Sequence, residues 1–132
     1  MKLASITVVI ALCVLANFGP VHAPPPVGPG YVYLALELNP HGGITGYFKV
    51  GGTGDPNPNT RRSNLNTGNP RRLEILEMFP VRATQAAENA AHAALARWHV
   101  NNGGGTEWFY VPPTQIQAFI RVYQAATQRY AG

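Results

Sequence analysis

Residues 31–50 constrain the fold of this chain more than any other stretch. Residues 31–38 (YVYLALEL) and 45–50 (TGYFKV) are rich in aromatic and aliphatic side chains, and both have strand length. Between them stands Asn39-Pro40-His41-Gly42-Gly43, a cluster of turn-forming residues. Two apolar runs around such a turn predict an antiparallel hairpin, with a buried strand at 31–38.

Glycine and proline punctuate the rest of the chain. Residues 51–59, full of Gly, Pro and Asn, predict a loop, and residues 60–66 a short helix ended by Gly68 and Pro70. Residues 73–79 read as a third strand, with Pro80 forcing its end. Thr84 suits the N-cap of a helix running to Trp98, whose apolar face is Ala87, Ala91, Ala94, Leu95 and Trp98. So much alanine lets a helix lie close against a sheet. After a loop at 101–106, residues 108–111 predict a short strand. Pro112 and Pro113 open a last helix with Ile116, Phe119, Ile120 and Tyr123 facing inward. The order β-β-α-β-α-β-α predicts an α/β (α+β) fold, a small, mostly antiparallel sheet flanked by helices.

The N-terminus has a different character. Met1-Lys2 gives a short positive start, residues 3–18 are almost wholly apolar, and Val21-His22-Ala23 offers a small-residue cleavage pattern. The apolar run is shorter than the about 20 residues of a membrane span. Residues 1–23 therefore read as a signal peptide, cut after Ala23 or nearer Ala16, and the chain is expected to be secreted with no lasting membrane association. Residues 24–29 read as a proline-rich spacer and residues 30–132 as one domain. The single cysteine, Cys13, lies inside the signal, so the mature domain must fold without disulfides.

Removing Lys2 from the ten Lys/Arg leaves nine against six Asp/Glu, a net charge of +3. Eight of these cations are arginine, whose planar fork matches phosphate oxygens. Arg61, Arg62, Arg71 and Arg72 fall close together in sequence. That clustering suits a nucleic-acid backbone, and it equally suits a solvated basic loop.

Several spaced motifs share one order. They are Gly30-Tyr31-Val32-Tyr33, then Phe48-Lys49-Val50-Gly51-Gly52-Thr53, then Arg61 four residues before Leu65-Asn66-Thr67-Gly68-Asn69-Pro70. Glu88 and His92 come next, four apart, and Glu107-Trp108-Phe109 comes last. In these motifs the chain resembles the GIY-YIG nuclease superfamily, in particular its phage-type DNA-binding and nuclease branch, over residues 30–111. The resemblance implies a DNA endonuclease fold with Tyr33, Lys49, Arg61 and Glu88 as catalytic residues and Glu88 as the metal ligand. It implies one divalent cation (Mg²⁺ or Mn²⁺), no small-molecule cofactor, and DNA as partner. His92 would support Glu88 through a hydrogen bond, and Arg61, Arg62, Arg71 and Arg72 would contact DNA. Oligomeric state is left open.

The chemistry is coherent on its own terms. Phosphodiester cleavage needs an activated water, neutralisation of developing charge and help for the leaving oxygen. A carboxylate can hold a hydrated Mg²⁺-type ion, Arg can fork onto phosphate, and Lys adds a point charge. Tyr33 can orient or deprotonate the water if neighbouring cations lower its pKa. Plainer roles exist for each residue. Tyr33 and Trp108 also suit a core, Lys49 an edge-strand guard, and Arg61 and Arg62 a charged surface. Spacing leaves open which of those two arginines points inward. His41 and His99 read as surface. The same residues also fit a non-catalytic nucleic-acid-binding module, or an exported effector, toxin or structural protein with an inactive site.

Overall fold

A computed structural model of the chain describes residues 25–67, 71–101 and 107–132. The expected signal peptide lies outside the described residues. The elements are β1 (Gly30–Leu38), β2 (Ile44–Thr53), α1 (Pro58–Asn66), β3 (Arg72–Val81), α2 (Thr84–Ala94), β4 (Trp108–Tyr110) and α3 (Ile116–Gln128). Short 3₁₀ turns at Ala96–Trp98 and Pro113–Gln115 follow α2 and precede α3. The four strands form one antiparallel sheet in the order β3-β1-β2-β4. The expected α+β class, element order and hairpin are all present.

Helices on both faces explain why β1 reads as one apolar run and does not alternate: residues 32–36 are all buried. Val32, Leu34 and Leu36 join Phe48, Val50 and Phe109 under α2 and α3. Tyr33 and Ala35 face the other way, toward Leu65 of α1 and Leu73 of β3. Tyr123 of α3 crosses to the sheet and donates its hydroxyl to the Val32 carbonyl at 2.9 Å.

Several boundaries differ from expectation, each for a physical reason. Strand β2 continues through Thr53 where a loop is expected from residue 51. The glycines there mark close packing, because any side chain at Gly51 would strike the Tyr33 ring. Helix α1 starts at Pro58 because Asn57 caps it, accepting from the Asn59 N–H at 2.9 Å, and proline suits the first helical position. Pro80 does not end β3. On an edge strand its missing N–H costs no ladder bond to a further strand. Helix α2 gives way to the 3₁₀ turn before Trp98, and Ala94 is exposed, so its buried face is Ala87, Ala91, Leu95 and Trp98. His99 is also no surface residue, since it bridges Phe109 and meets its ring edge-on at 5.9 Å. His41 is exposed, as expected.

Thr84 begins α2 as its first helical residue and does not cap it. Its N–H and hydroxyl both donate to the Gly28 carbonyl at 2.9 Å, and the Gln85 N–H donates to Pro26 at 3.1 Å. Carbonyls of the proline-rich segment thus satisfy N–H groups that a helix start leaves free. Residues 25–29 are therefore docked onto the domain, beside Gly52. Thr84→Val keeps the shape and removes the hydroxyl donor, and is expected to cost about 1 kcal/mol in urea unfolding.

Candidate active site

The site is built where β2 outlasts its neighbour. Strand β4 spans three residues against ten in β2, pairing with Tyr47, Phe48 and Lys49. The Val50 N–H still reaches the Glu107 carbonyl at 3.0 Å. Beyond it, among the described residues, Gly51–Thr53 have no strand on that side. Instead His92 Nε2 meets the Val50 carbonyl at 2.8 Å, occupying the vacated ladder position.

Three consecutive residues of this unpaired but buried edge each lie against a different predicted site residue. The Tyr33 ring lies across Gly51. Glu88 Oε1 comes to 3.0 Å from where a side chain on Gly52 would begin. The Thr53 hydroxyl accepts from Arg61 Nη2 at 2.9 Å. Lys49 lies two residues earlier on the Tyr33 face of the sheet, its ammonium 3.7 Å from Glu107 Oε1 and 5.5 Å from the Trp108 ring centre. Tyr33, Lys49 and Arg61, drawn from β1, β2 and α1, therefore gather on one face of this end of the sheet, and Glu88 of α2 reaches the same unpaired edge at Gly52 from the opposite face. Lys49 is no edge guard, because β4 pairs with it.

Arg61 is the arginine that turns inward. It is 7% exposed, its guanidinium lies 5.6 Å from the Tyr33 ring centre, and its Nε–H has no hydrogen-bond partner. Among the described residues it has no ion-pair partner either. A buried guanidinium with an orphaned donor is costly unless an anion completes it. Arg62 turns outward and pairs with Glu74 at 3.4 Å. Arg72 pairs with the same Glu74 at 3.1 Å and Arg71 with Glu37 at 3.3 Å. Arg72 lies opposite Leu38, at the far end of β1 from Tyr33, about 17 Å away at strand spacing. The four arginines are thus divided between the site and a separate exposed surface.

Burial sets the state of the two acids. It pushes the Tyr33 phenol well above its usual range, and the Glu107 and Glu88 carboxylates add to that shift while Arg61 opposes it. Arg61 lowers this pKa as expected, but burial outweighs it and the phenol stays protonated. Burial also raises the Glu88 carboxyl to about 7, with Glu107 adding to the rise and Lys49 countering it. His92 stands 3.6 Å from Glu88 Oε2, so its close bond is to Val50 and not, as expected, to Glu88.

No group of three His, Cys, Asp or Glu converges among the described residues. The donor set still fits a hydrated Mg²⁺-type ion, which takes one or two carboxylates and keeps waters. Glu88 supplies a buried carboxylate, with His92 3.6 Å from its Oε2. Two residues that spacing alone did not single out also serve the site. Thr53 anchors Arg61, and the Asn66 side chain ties α1 to β3 by bonds of 2.8 and 3.0 Å to the Leu73 backbone. Both lie within the spaced motifs, which was their only signal. Gly68, Asn69 and Pro70 of the Leu65–Pro70 motif lie outside the described residues.

No curated protein and no solved structure matches the chain. No helix among the described residues is long and apolar enough to cross a membrane. The T5orf172 domain family matches residues 30–124, from the first residue of β1 into α3 and well over half of the 132 residues. The chain belongs to the T5orf172 domain family.

Proposed function

We propose that this domain binds DNA and hydrolyses its phosphodiester bonds with one divalent cation, Mg²⁺ or Mn²⁺, at a GIY-YIG-like site. Its family membership supports a nuclease or DNA-binding module. The observation that carries the reading is Arg61, a buried guanidinium with an orphaned Nε–H among the other site residues. A phosphate oxygen supplies what that group lacks.

In this reading Arg61, steadied by Thr53, forks onto the scissile phosphate. Lys49 adds charge where the extra phosphate oxygen charge develops. The Tyr33 phenol donates a hydrogen bond that orients the attacking water or a phosphate oxygen, and it takes no proton. Glu88 would hold the cation, with His92 beside it fixing the Val50 carbonyl. The cation, when bound, supplies Lewis acidity and lowers the pKa of a bound water. Arg62, Arg71 and Arg72 would carry more distant DNA backbone. The N-terminal sequence supports export, so the DNA would be met outside the cell.

The test is DNA binding and plasmid cleavage by wild type and Arg61→Ala. Arg61→Ala is expected to weaken binding about 10-fold or more, as loss of a charge-assisted contact does, and to lower the salt slope by about 1. Arg61→Lys should not restore cleavage, since an ammonium cannot reproduce the fork. Binding unchanged in Arg61→Ala would sink the phosphate role. Salt-sensitive binding without cleavage in Mg²⁺ or Mn²⁺ would favour a non-catalytic module.

A further inference from the structure

Glu107 has no role in the proposed cleavage mechanism, yet its position is held and its charge faces the site. Its carbonyl accepts the Val50 N–H at 3.0 Å, which fixes its backbone to β2 at the point where β4 begins. Its carboxylate reaches Lys49 at 3.7 Å, and Lys49 packs over the ring of the next residue, Trp108. The same carboxylate is near enough to act electrostatically on both Tyr33 and Glu88. Lys49 is mostly covered while Glu107 is 41% exposed at its side chain. An exposed anion beside a covered cation is the partner that an incoming phosphate can displace.

We infer that Glu107 is a positioning residue for Lys49: with Trp108 it holds the ammonium at the site and stands, in the free protein, where a DNA phosphate will sit. The catalytic consequence rests on the DNA-cleavage reading, while the placement of Lys49 does not. Removing Glu107 frees the ammonium from one of its two anchors. It also removes a like charge that opposes the arriving phosphate.

Lys2 and Lys49 are the only lysines in the chain, so ¹³C-lysine labelling of the full chain gives two side-chain signals. Lys49→Met assigns the Lys49 signal by its loss. The ring of Trp108 should displace the Lys49 ε-methylene resonance from its free-lysine value. Glu107→Ala is expected to remove at least about half of that displacement without changing the melting temperature, because the contact held two anchors and loses one. An unchanged Lys49 resonance overturns the inference, whatever the protein does to DNA.

A second readout separates positioning from general structural support. Glu107→Ala should bind DNA in EDTA as tightly as wild type or up to about 10-fold tighter, through loss of like-charge repulsion. Its turnover should fall about 10-fold from misplacement of the cation, with no further fall when Glu107→Ala is added to Lys49→Met. Additive losses overturn the inference. Wild type that leaves DNA intact, with the resonance shift behaving as expected, would sink the nuclease reading and leave the placement of Lys49 standing.

Discussion

Glu88→Gln should lower metal-dependent DNA cleavage about 10³-fold, the loss of several kcal/mol expected when a catalytic cation loses its carboxylate. The amide keeps the volume of the side chain and a carbonyl acceptor beside Gly52, so the sheet end and Arg61 are undisturbed. DNA affinity measured in EDTA should therefore stay near that of wild type. The same substitution should raise stability, which separates the site reading from mere damage. Burial lifts the Glu88 carboxyl from an ordinary 4.5 to about 7, so the unfolded chain ionises at lower pH than the folded one. Stability is then full below pH 4.5 and falls as pH rises toward 7. Glutamine carries no such cost, so Glu88→Gln should be more stable than wild type at pH 8 by about 1–3 kcal/mol, converging with it at pH 4. Added Mg²⁺ should recover part of the difference for wild type alone. Urea melts at the two pH values check the sign; a variant less stable at pH 8 would contradict the burial argument.

Phe119→Ala should produce the largest loss of stability, about 3–5 kcal/mol. Phe119 is fully buried, and its ring centre lies 5.1 Å from Phe48, 5.2 Å from Trp98 and 5.7 Å from Phe109. Those three come from β2, the turn after α2, and β4, so one ring on α3 ties all three together. Truncation leaves a cavity among large rigid rings that cannot collapse to fill it. Against a total of about 5–15 kcal/mol for a domain this size, much of the folded margin would be gone. Thermal unfolding followed by tryptophan fluorescence reads the effect. A loss under about 1 kcal/mol would mean that Phe119 does not hold the layers together.

The fold was legible because its pieces are local. The hairpin is written in two apolar runs and a turn, and the last helix in the spacing of Ile116, Phe119, Ile120 and Tyr123. The misread boundaries all involve residues with two uses. Gly51 and Gly52 look like loop residues, and only the folded packing shows that they make room for the Tyr33 ring on one face and for Pro25, Thr84 and Glu88 on the other. Pro80 looks like a strand end until β3 proves to be an edge. Ala94 shares the composition of the buried alanines and differs only in where α2 stops.

The site was legible only in part. Tyr33, Lys49, Arg61 and Glu88 were recognisable from motif order, but nothing in that order says that they fall along one edge of one sheet. That placement depends on β2 extending to Thr53 and β4 stopping short of it, which is a matter of pairing length. The state of Tyr33 could not be read either, because burial outweighs the nearby Arg61. Nor could the separation of Arg61 from Arg62, Arg71 and Arg72. That split arises from the helical turn of α1 and from carboxylates, Glu74 and Glu37, that take up the outer arginines.

The most direct test of the central claim is single-turnover cleavage of end-labelled DNA by the wild-type protein, with Mg²⁺, with Mn²⁺ and with EDTA. Cleavage in either metal and none in EDTA is the predicted result. DNA left intact in both metals, under conditions where the protein demonstrably binds it, would contradict the claim that these four residues form a working phosphodiesterase site.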